Sequence, residues 1–265
     1  MKAHFDLLLS ATLLFLVAAT AQATPISTPM YEGDASFNTY SHGGGYSSFD
    51  NEYWYSQWSG DTVYRYDNDY NLLGSFTSGQ NQMMQIWGET DGSYYSANWG
   101  YENITKKAGK DDSTTLWTYN LGTTASGVAS DENFVYAMDY YSSTVHKLDS
   151  STGNLIENFS LDNIGTTMYG GLVVSEGYLY RFDYNGYVNK YDLNSGEQSN
   201  YNLSDRTQHV YNLSFNGEQV LFSSNSSTSN IYRISDGVHA VPEPAVISLM
   251  GLGLAGLLIS RRKKT

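Results

Sequence analysis

The chain has no cysteine, only four prolines, and few charges: Asp, Glu, Lys and Arg make up 15% of its 265 residues. The missing cysteine excludes disulfide-stapled scaffolds and thiolate metal sites, but an exported protein of this size builds a core without either. Positive charge is especially scarce. Fourteen Lys and Arg stand against 27 Asp and Glu, a formal net charge of −13. The N-terminal segment is neutral and the C-terminal tail carries +3, so the middle of the chain stands at −16. A field of that sign excludes binding of nucleic acid or an anionic membrane surface through bulk electrostatics. It leaves neutral ligands, or cations that bridge to an anionic polymer.

Tyrosine (24), glycine (25) and many Ser, Thr and Asn fill the space left by charge. Tyr and Thr suit pleated, half-exposed surfaces, and Gly, Asn and Asp suit tight turns. An aromatic content of 15% speaks against disorder. The composition predicts β structure, and no stretch of the middle reads as a long amphipathic helix.

Both ends carry apolar segments. Met1-Lys2 precedes an apolar run from Leu7 to Ala19, and small residues follow as far as Ala21-Gln22-Ala23. A basic start, a short apolar segment and an A-x-A site predict a secretory signal peptide over 1–23, cut after Ala23. At the other end Val241-Pro242-Glu243-Pro244 leads into Ala245 to Ser260, which holds no charge, and then into Arg261-Arg262-Lys263-Lys264. As a helix the uncharged segment spans roughly 24 Å, slightly less than a bilayer's hydrocarbon core. Snorkelling arginines make up the difference, and the basic cluster holds its end in the cytoplasm.

A Pro-Glu-Pro tripeptide, an apolar helix and a basic terminus, in that order, resemble the PEP-CTERM sorting signal. The resemblance covers only the C-terminal tail, 241–265. It implies a transient transmembrane stop, with Pro242, Glu243 and Pro244 as the motif near which an exosortase cuts and Arg261 and Arg262 opening the basic end. It also implies an exported protein of the cell envelope, surface or extracellular space, in bacteria that make extracellular polysaccharide. Gly251 to Gly256 matches G-x-G-x-x-G, but no strand or βαβ unit surrounds it, so small residues in a membrane helix explain the match.

The intervening domain, 24–240, contains a repeat. Val63-Tyr64-Arg65-Tyr66-Asp67 returns as Val145-His146-Lys147-Leu148-Asp149, Val188-Asn189-Lys190-Tyr191-Asp192 and Ile231-Tyr232-Arg233-Ile234-Ser235, with a degenerate copy at Ile104-Thr105-Lys106-Lys107. The basic residues are spaced 41, 41, 43 and 43 positions apart. A second strand-like run precedes each copy, such as Tyr53-Trp54-Tyr55 or Phe134-Val135-Tyr136, and a further strand follows, such as Leu155 to Leu161. Four short strands in about 42 residues is the period of a β-propeller blade. The sequence therefore predicts a five-bladed β-propeller, its last copy completed by an outer strand from Met30 to Thr39. A β-sandwich pair and an open β-solenoid compete with it. The repeats resemble kelch-like and quinoprotein-type propellers without carrying either signature.

Aromatic residues are the most suggestive feature of this domain. Trp58, Trp99, Tyr140 and Tyr184, flanked by Asn, Ser and Asp, form a candidate ligand-binding set. Such rings stack on sugar C–H faces while polar neighbours satisfy hydroxyls, which makes carbohydrate the expected ligand. The competing reading is that the rings pack blades together. The recurrent Arg65, Lys106, Lys147, Lys190 and Arg233 suggest an anion-binding ring or, more simply, residues that cap and pair strands. No catalytic residue is assigned. His42, His146, His209 and His239 are scattered, and His146 reads as a solvent-facing strand residue. Asp139 and Asp183, each three positions after a strand tyrosine, are the carboxylates a glycan hydrolase or lyase would use. No metal site or cofactor is expected. Asp67-Asn68-Asp69-Tyr70-Asn71 opens like a calcium loop but lacks the Gly and Glu that an EF-hand needs, leaving at most weak Ca²⁺ binding there or at Asp111-Asp112. The expected role is a non-catalytic binding component associated with extracellular polysaccharide, with an enzyme or a protein-interaction platform as alternatives.

Overall fold

The recurrent runs of the sequence become strands, and the Gly-, Asn- and Asp-rich segments between them become turns. The computed structural model describes residues 26–32, 43–56, 58–131, 133–162, 171–183, 187–202, 210–215, 220–225 and 229–235, and contains no helix among them. The first strand, β1 (Ile26–Glu32), stands apart from the repeats. Four-stranded meanders follow. They are β2 (Gly43–Ser47), β3 (Glu52–Ser56), β4 (Thr62–Tyr66) and β5 (Leu72–Thr77), then β6 (Met83–Gly88), β7 (Tyr94–Asn98), β8 (Asn103–Lys107) and β9 (Thr115–Asn120). Next come β10 (Ala125–Ser130), β11 (Phe134–Asp139), β12 (Thr144–Asp149) and β13 (Leu155–Ser160). The fourth meander comprises β14 (Leu172–Ser175), β15 (Tyr178–Phe182), β16 (Tyr187–Asp192) and β17 (Gln198–Asn202). The last three strands are β18 (Val210–Phe215), β19 (Val220–Asn225) and β20 (Ser229–Ser235).

Every pairing within a meander is antiparallel. A single parallel bridge, Ser47 to Gly88, joins the first two meanders into one eight-stranded sheet. The incomplete last set gains its fourth strand from β1, which pairs antiparallel with β20 from Ile26↔Ser235 to Glu32↔Asn230. The completing strand thus begins at Ile26, four residues ahead of the expected Met30. Its register shifts between Pro29 and Tyr31. This is consistent with an outer strand, where a proline lacking an N–H costs no ladder bond.

The repeated basic residue has one structural position. It pairs with a residue of the preceding strand in every set: Trp54↔Arg65, Tyr95↔Lys106, Tyr136↔Lys147, Tyr180↔Lys190 and Leu221↔Arg233. Burial is graded across each sheet. β2, β10 and β14 are buried along their whole length, whereas β5 and β13 are mostly exposed. The inner strands β2, β6, β10, β14 and β18 contact one another in that order, and β18 returns against β2. Between the sheets lie apolar layers. Trp54, Val63, Met83, Ile86 and Tyr94 pack between the first and second meanders, and Met84, Ile104, Val128 and Leu148 between the second and third.

At the innermost level the backbones touch. A Cβ placed on Gly45 would lie 1.7 Å from the Ile86 carbonyl oxygen. Gln85 crosses this level, spanning three inner strands. Its Oε1 accepts from Val128 N (2.9 Å) and Leu172 N (2.9 Å), and its Nε2 donates to Leu172 O (2.6 Å).

Turns between third and fourth strands are held by carboxylates. Asp149 accepts from the Ser151 and Thr152 hydroxyls (2.6 and 2.9 Å) and from both backbone N–H groups. These bonds hold its carboxyl down to about 2. A depressed folded-state value stabilises the fold above the ordinary carboxylate range and is lost as pH falls toward 2. Thermal midpoints measured from pH 5 to pH 2 should fall more steeply for the wild type than for Asp149→Asn, which has no carboxyl to titrate there.

Candidate ligand-binding face

Among the described residues, the loops that join second to third strands in the first three meanders open at the same end of their sheets. Their aromatic residues occupy one position of the repeat. Trp58, Trp99, Tyr140 and Tyr184 each lie four residues after the residue paired with the basic side chain. Consecutive sheets stand side by side, so this position brings the rings into contact. Trp58 and Trp99 meet edge to face with centroids 5.9 Å apart, and Trp99 and Tyr140 at 4.4 Å. Tyr141 extends the row, 4.9 Å from Tyr140 and 6.3 Å from Trp99. Edge-to-face contacts at these separations are the favourable geometry for aromatic pairs. Tyr184 lies outside the described residues.

The row is anchored on one side and open on the other. Trp58 and Trp99 are half-buried and pack against the apolar layer between the second and third meanders, so they do share in joining sheets. Tyr140 is also half-buried, whereas Tyr141 is 71% exposed. Backbone bonds tie the loops to the connections between sheets. Gln82 N donates to Trp58 O (3.2 Å), Trp99 N to Gln82 O (2.9 Å) and Tyr140 N to Thr124 O (2.8 Å). The other tryptophans serve packing. Trp54 is fully buried, Trp87 lies between two apolar layers, and Trp117 donates its indole N–H to Ser150 O (3.1 Å).

The recurrent basic residues are spent within and between neighbouring sheets. Arg65 makes a bidentate pair with Glu52. Lys106 lies over the Tyr95 ring and reaches Ser150 O in the next meander. Lys147 sits over Phe134 and pairs with Glu157, and Lys190 sits over Tyr178. A cation over an aromatic face is worth about 0.5–1 kcal/mol at such sites. The Arg233 side chain lies outside the described residues.

The two candidate carboxylates serve their own loops. Asp139 accepts from the Thr123 hydroxyl (3.0 Å), Tyr141 N (2.8 Å) and the Ser142 hydroxyl (3.0 Å), fixing the loop that carries Tyr140 and Tyr141. Asp183 is fully buried and accepts from Tyr187 N (2.7 Å). Beside it lies Arg181, which the sequence reading passed over. Burial pushes this guanidinium down to about 10, opposed by Asp183, and it donates to Ser143 Oγ (3.1 Å) and Asp162 O (3.3 Å). Its signal in the sequence was positional: where the other second strands place Tyr55, Ser96, Ala137 and Phe222, this one places an arginine.

His146 is half-buried and bonded to the Tyr119 hydroxyl (3.0 Å), not open to solvent as its place in the repeat had suggested. Asp67 accepts from Asp69 N and from Asn71 N and Nδ2, closing a turn on itself. Among the described residues no three His, Asp or Glu side chains converge as a metal-holding set. Residues 1–25 and 236–265, with Pro242, Glu243, Pro244, Arg261 and Arg262, lie outside the described residues. Among those described, no helix is long and apolar enough to cross a membrane.

Several solved structures share this architecture. A glutaminyl cyclase of Myxococcus xanthus superposes with a TM-score of 0.63 at 9% identity, over 80% of this chain and 97% of that one. The nidogen/laminin complex gives 0.51 at 13% identity, over 69% and 71%. A virginiamycin B lyase from Staphylococcus aureus gives 0.50 at 10% identity, over 73% and 65%. At these identities the likeness shows the fold alone, which is all-β and propeller-like, built of four-stranded antiparallel units. No curated protein matches the sequence. Residues 240–263 match the family model of the PEP-CTERM protein-sorting motif, so this chain carries that motif at its C-terminus.

Proposed function

We propose that this protein is an exported, non-catalytic binding component of the cell surface or extracellular matrix that holds polysaccharide on its aromatic face. The row Trp58–Trp99–Tyr140–Tyr141 carries the reading, because adjoining rings drawn from three successive meanders make an extended platform for a chain of sugars. The charge of −16 on the middle of the chain favours an uncharged polymer over an anionic one. In this reading the fold is a five-bladed propeller closed by β1 against β20. A signal peptide is removed after Ala23, and the segment from Ala245 to Ser260 spans the membrane until an exosortase acts near Pro242-Glu243-Pro244. The sorting motif supports export and exosortase processing.

The test is co-elution of the purified protein with the producing strain's extracellular polysaccharide in size exclusion. The protein should move with polymer of unchanged size, and Trp99→Ala should weaken the association about tenfold or more. Polymer shifted to smaller size would replace binding by glycan cleavage and redirect attention to Asp139 and Asp183. Without co-elution, the surface would be one for a protein partner.

A further inference from the structure

The aromatic row supplies stacking and single indole N–H and phenol O–H groups, but no side chain in it carries two donors and an acceptor on adjacent atoms. The connection between β5 and β6 supplies one. Gln82 sits between the two tryptophans, its backbone N–H bonded to Trp58 O and its C=O to Trp99 N. Its φ of 51° lies in the left-handed region, which is unfavourable for a non-glycine residue. The sheets hold that conformation at both ends, which fixes where the side chain leaves the backbone. The side chain is half-buried, and its amide makes no hydrogen bond among the described residues.

Gly100, the residue after Trp99, shows how closely the amide is seated. A Cβ at Gly100 would lie 2.1 Å from Gln82 Oε1, so the absence of a side chain there makes room for the amide beside the Trp99 loop. A primary amide offers both donors and an acceptor, the pattern that vicinal hydroxyls complement, and it carries no charge to attract uronates or sulfates.

Resting on the binding role above, we propose that Gln82 is the hydroxyl-reading residue of this face, seated by Gly100, and that the ligand class is a neutral glycan. Two substitutions separate the amide from its surroundings. Gln82→Gly deletes the amide while suiting the left-handed backbone. Gly100→Ala keeps Gln82 but displaces its amide, at little cost to folding because only the end of a flexible side chain must move.

Affinity electrophoresis through gels containing laminarin, galactomannan, pullulan or hydroxyethylcellulose, with alginate as the anionic comparison, tests both claims. Wild-type protein should be retarded by at least one neutral polymer and not by alginate. Gln82→Gly and Gly100→Ala should each weaken that retardation about tenfold with unchanged thermal midpoints, the loss expected for one or two hydrogen bonds. Wild-type retardation of both variants, with loss in Trp99→Ala, would overturn the role of Gln82 and leave the aromatic platform standing. Stronger retardation by alginate would overturn the neutral class. Unchanged retardation of Trp99→Ala, or no retardation of wild type by any polymer, would overturn the platform and this inference together.

Discussion

Gly45→Ala is expected to yield little or no folded protein. The added methyl would sit 1.7 Å from the Ile86 carbonyl oxygen and 2.7 Å from its carbon, far inside van der Waals contact. The obstacle is backbone, and neither strand has room to yield. β6 is pinned by its ladder with β7, where Ile86 faces Ser96, and β2 by its ladder with β3. Ile86 is itself fully buried between sheets. Overpacking a rigid core commonly costs about 1–3 kcal/mol, and a clash between two inner backbones belongs at or above the top of that range. Soluble yield and the thermal midpoint by circular dichroism provide the check. A wild-type midpoint for Gly45→Ala would be incompatible with the approach of β2 to β6 described above. Gly100→Ala is the informative contrast, since there the encounter is with the tip of a side chain and stability should hold.

Gln85→Met is the second substitution with a large expected effect. Methionine nearly conserves the volume and removes only polar atoms. The Val128 N–H, the Leu172 N–H and the Leu172 C=O then lose the bonds Gln85 supplied, and Gln85, Val128 and Leu172 are all fully buried. A buried backbone group left without a partner costs about 1–3 kcal/mol, so three together cost about 3–9 kcal/mol, and a loss near the low end of that range is about 4 kcal/mol. In urea that corresponds to a midpoint lower by about 2 M with an unchanged slope. A fall of less than about 0.5 M would show that these inner strands do not depend on the bridge. The expected loss is larger than for most surface substitutions because Gln85 ties β6 to both β10 and β14, joining inner strands that no ladder connects.

Much of this architecture was legible before any coordinates. The spacing of Arg65, Lys106, Lys147, Lys190 and Arg233 marked one strand per repeat, and all five fall on the third strand of a meander at the same pairing position. Periodicity reports such things well, because a repeated local environment selects a repeated residue type. Trp58, Trp99 and Tyr140, singled out for their aromatic rings, also share one repeat position, which is why adjacent meanders bring those rings together. Local signals also identified the sorting motif at the C-terminus, which is short, contiguous and ordered along the chain.

Features that depend on contact between sheets were not legible. Gln85 and Gln82 look alike in sequence, three residues apart in a polar and apolar mixture. One bridges three buried strands, and the other lies half-buried beside two tryptophans in left-handed backbone, a conformation that no local residue preference announces for glutamine. Arg181 could be noticed only by aligning it with Tyr55, Ser96 and Ala137 and asking what buries a charge. The answer, Ser143, Asp162 and Asp183, comes from three separate segments. His146 erred in the opposite direction, since its neighbour Tyr119 belongs to the preceding meander.

The sequence by itself determined the strands, their repeat, the acidic middle and the sorted tail, because each depends on residues close together in the chain. Only the tertiary structure decided which aromatic rings meet, which polar side chains are buried, and that Ile26–Glu32 is the N-terminal segment completing the last sheet. Those outcomes depend on how sheets pack side by side, and close packing selects partners by shape and hydrogen-bond need, not by distance along the chain.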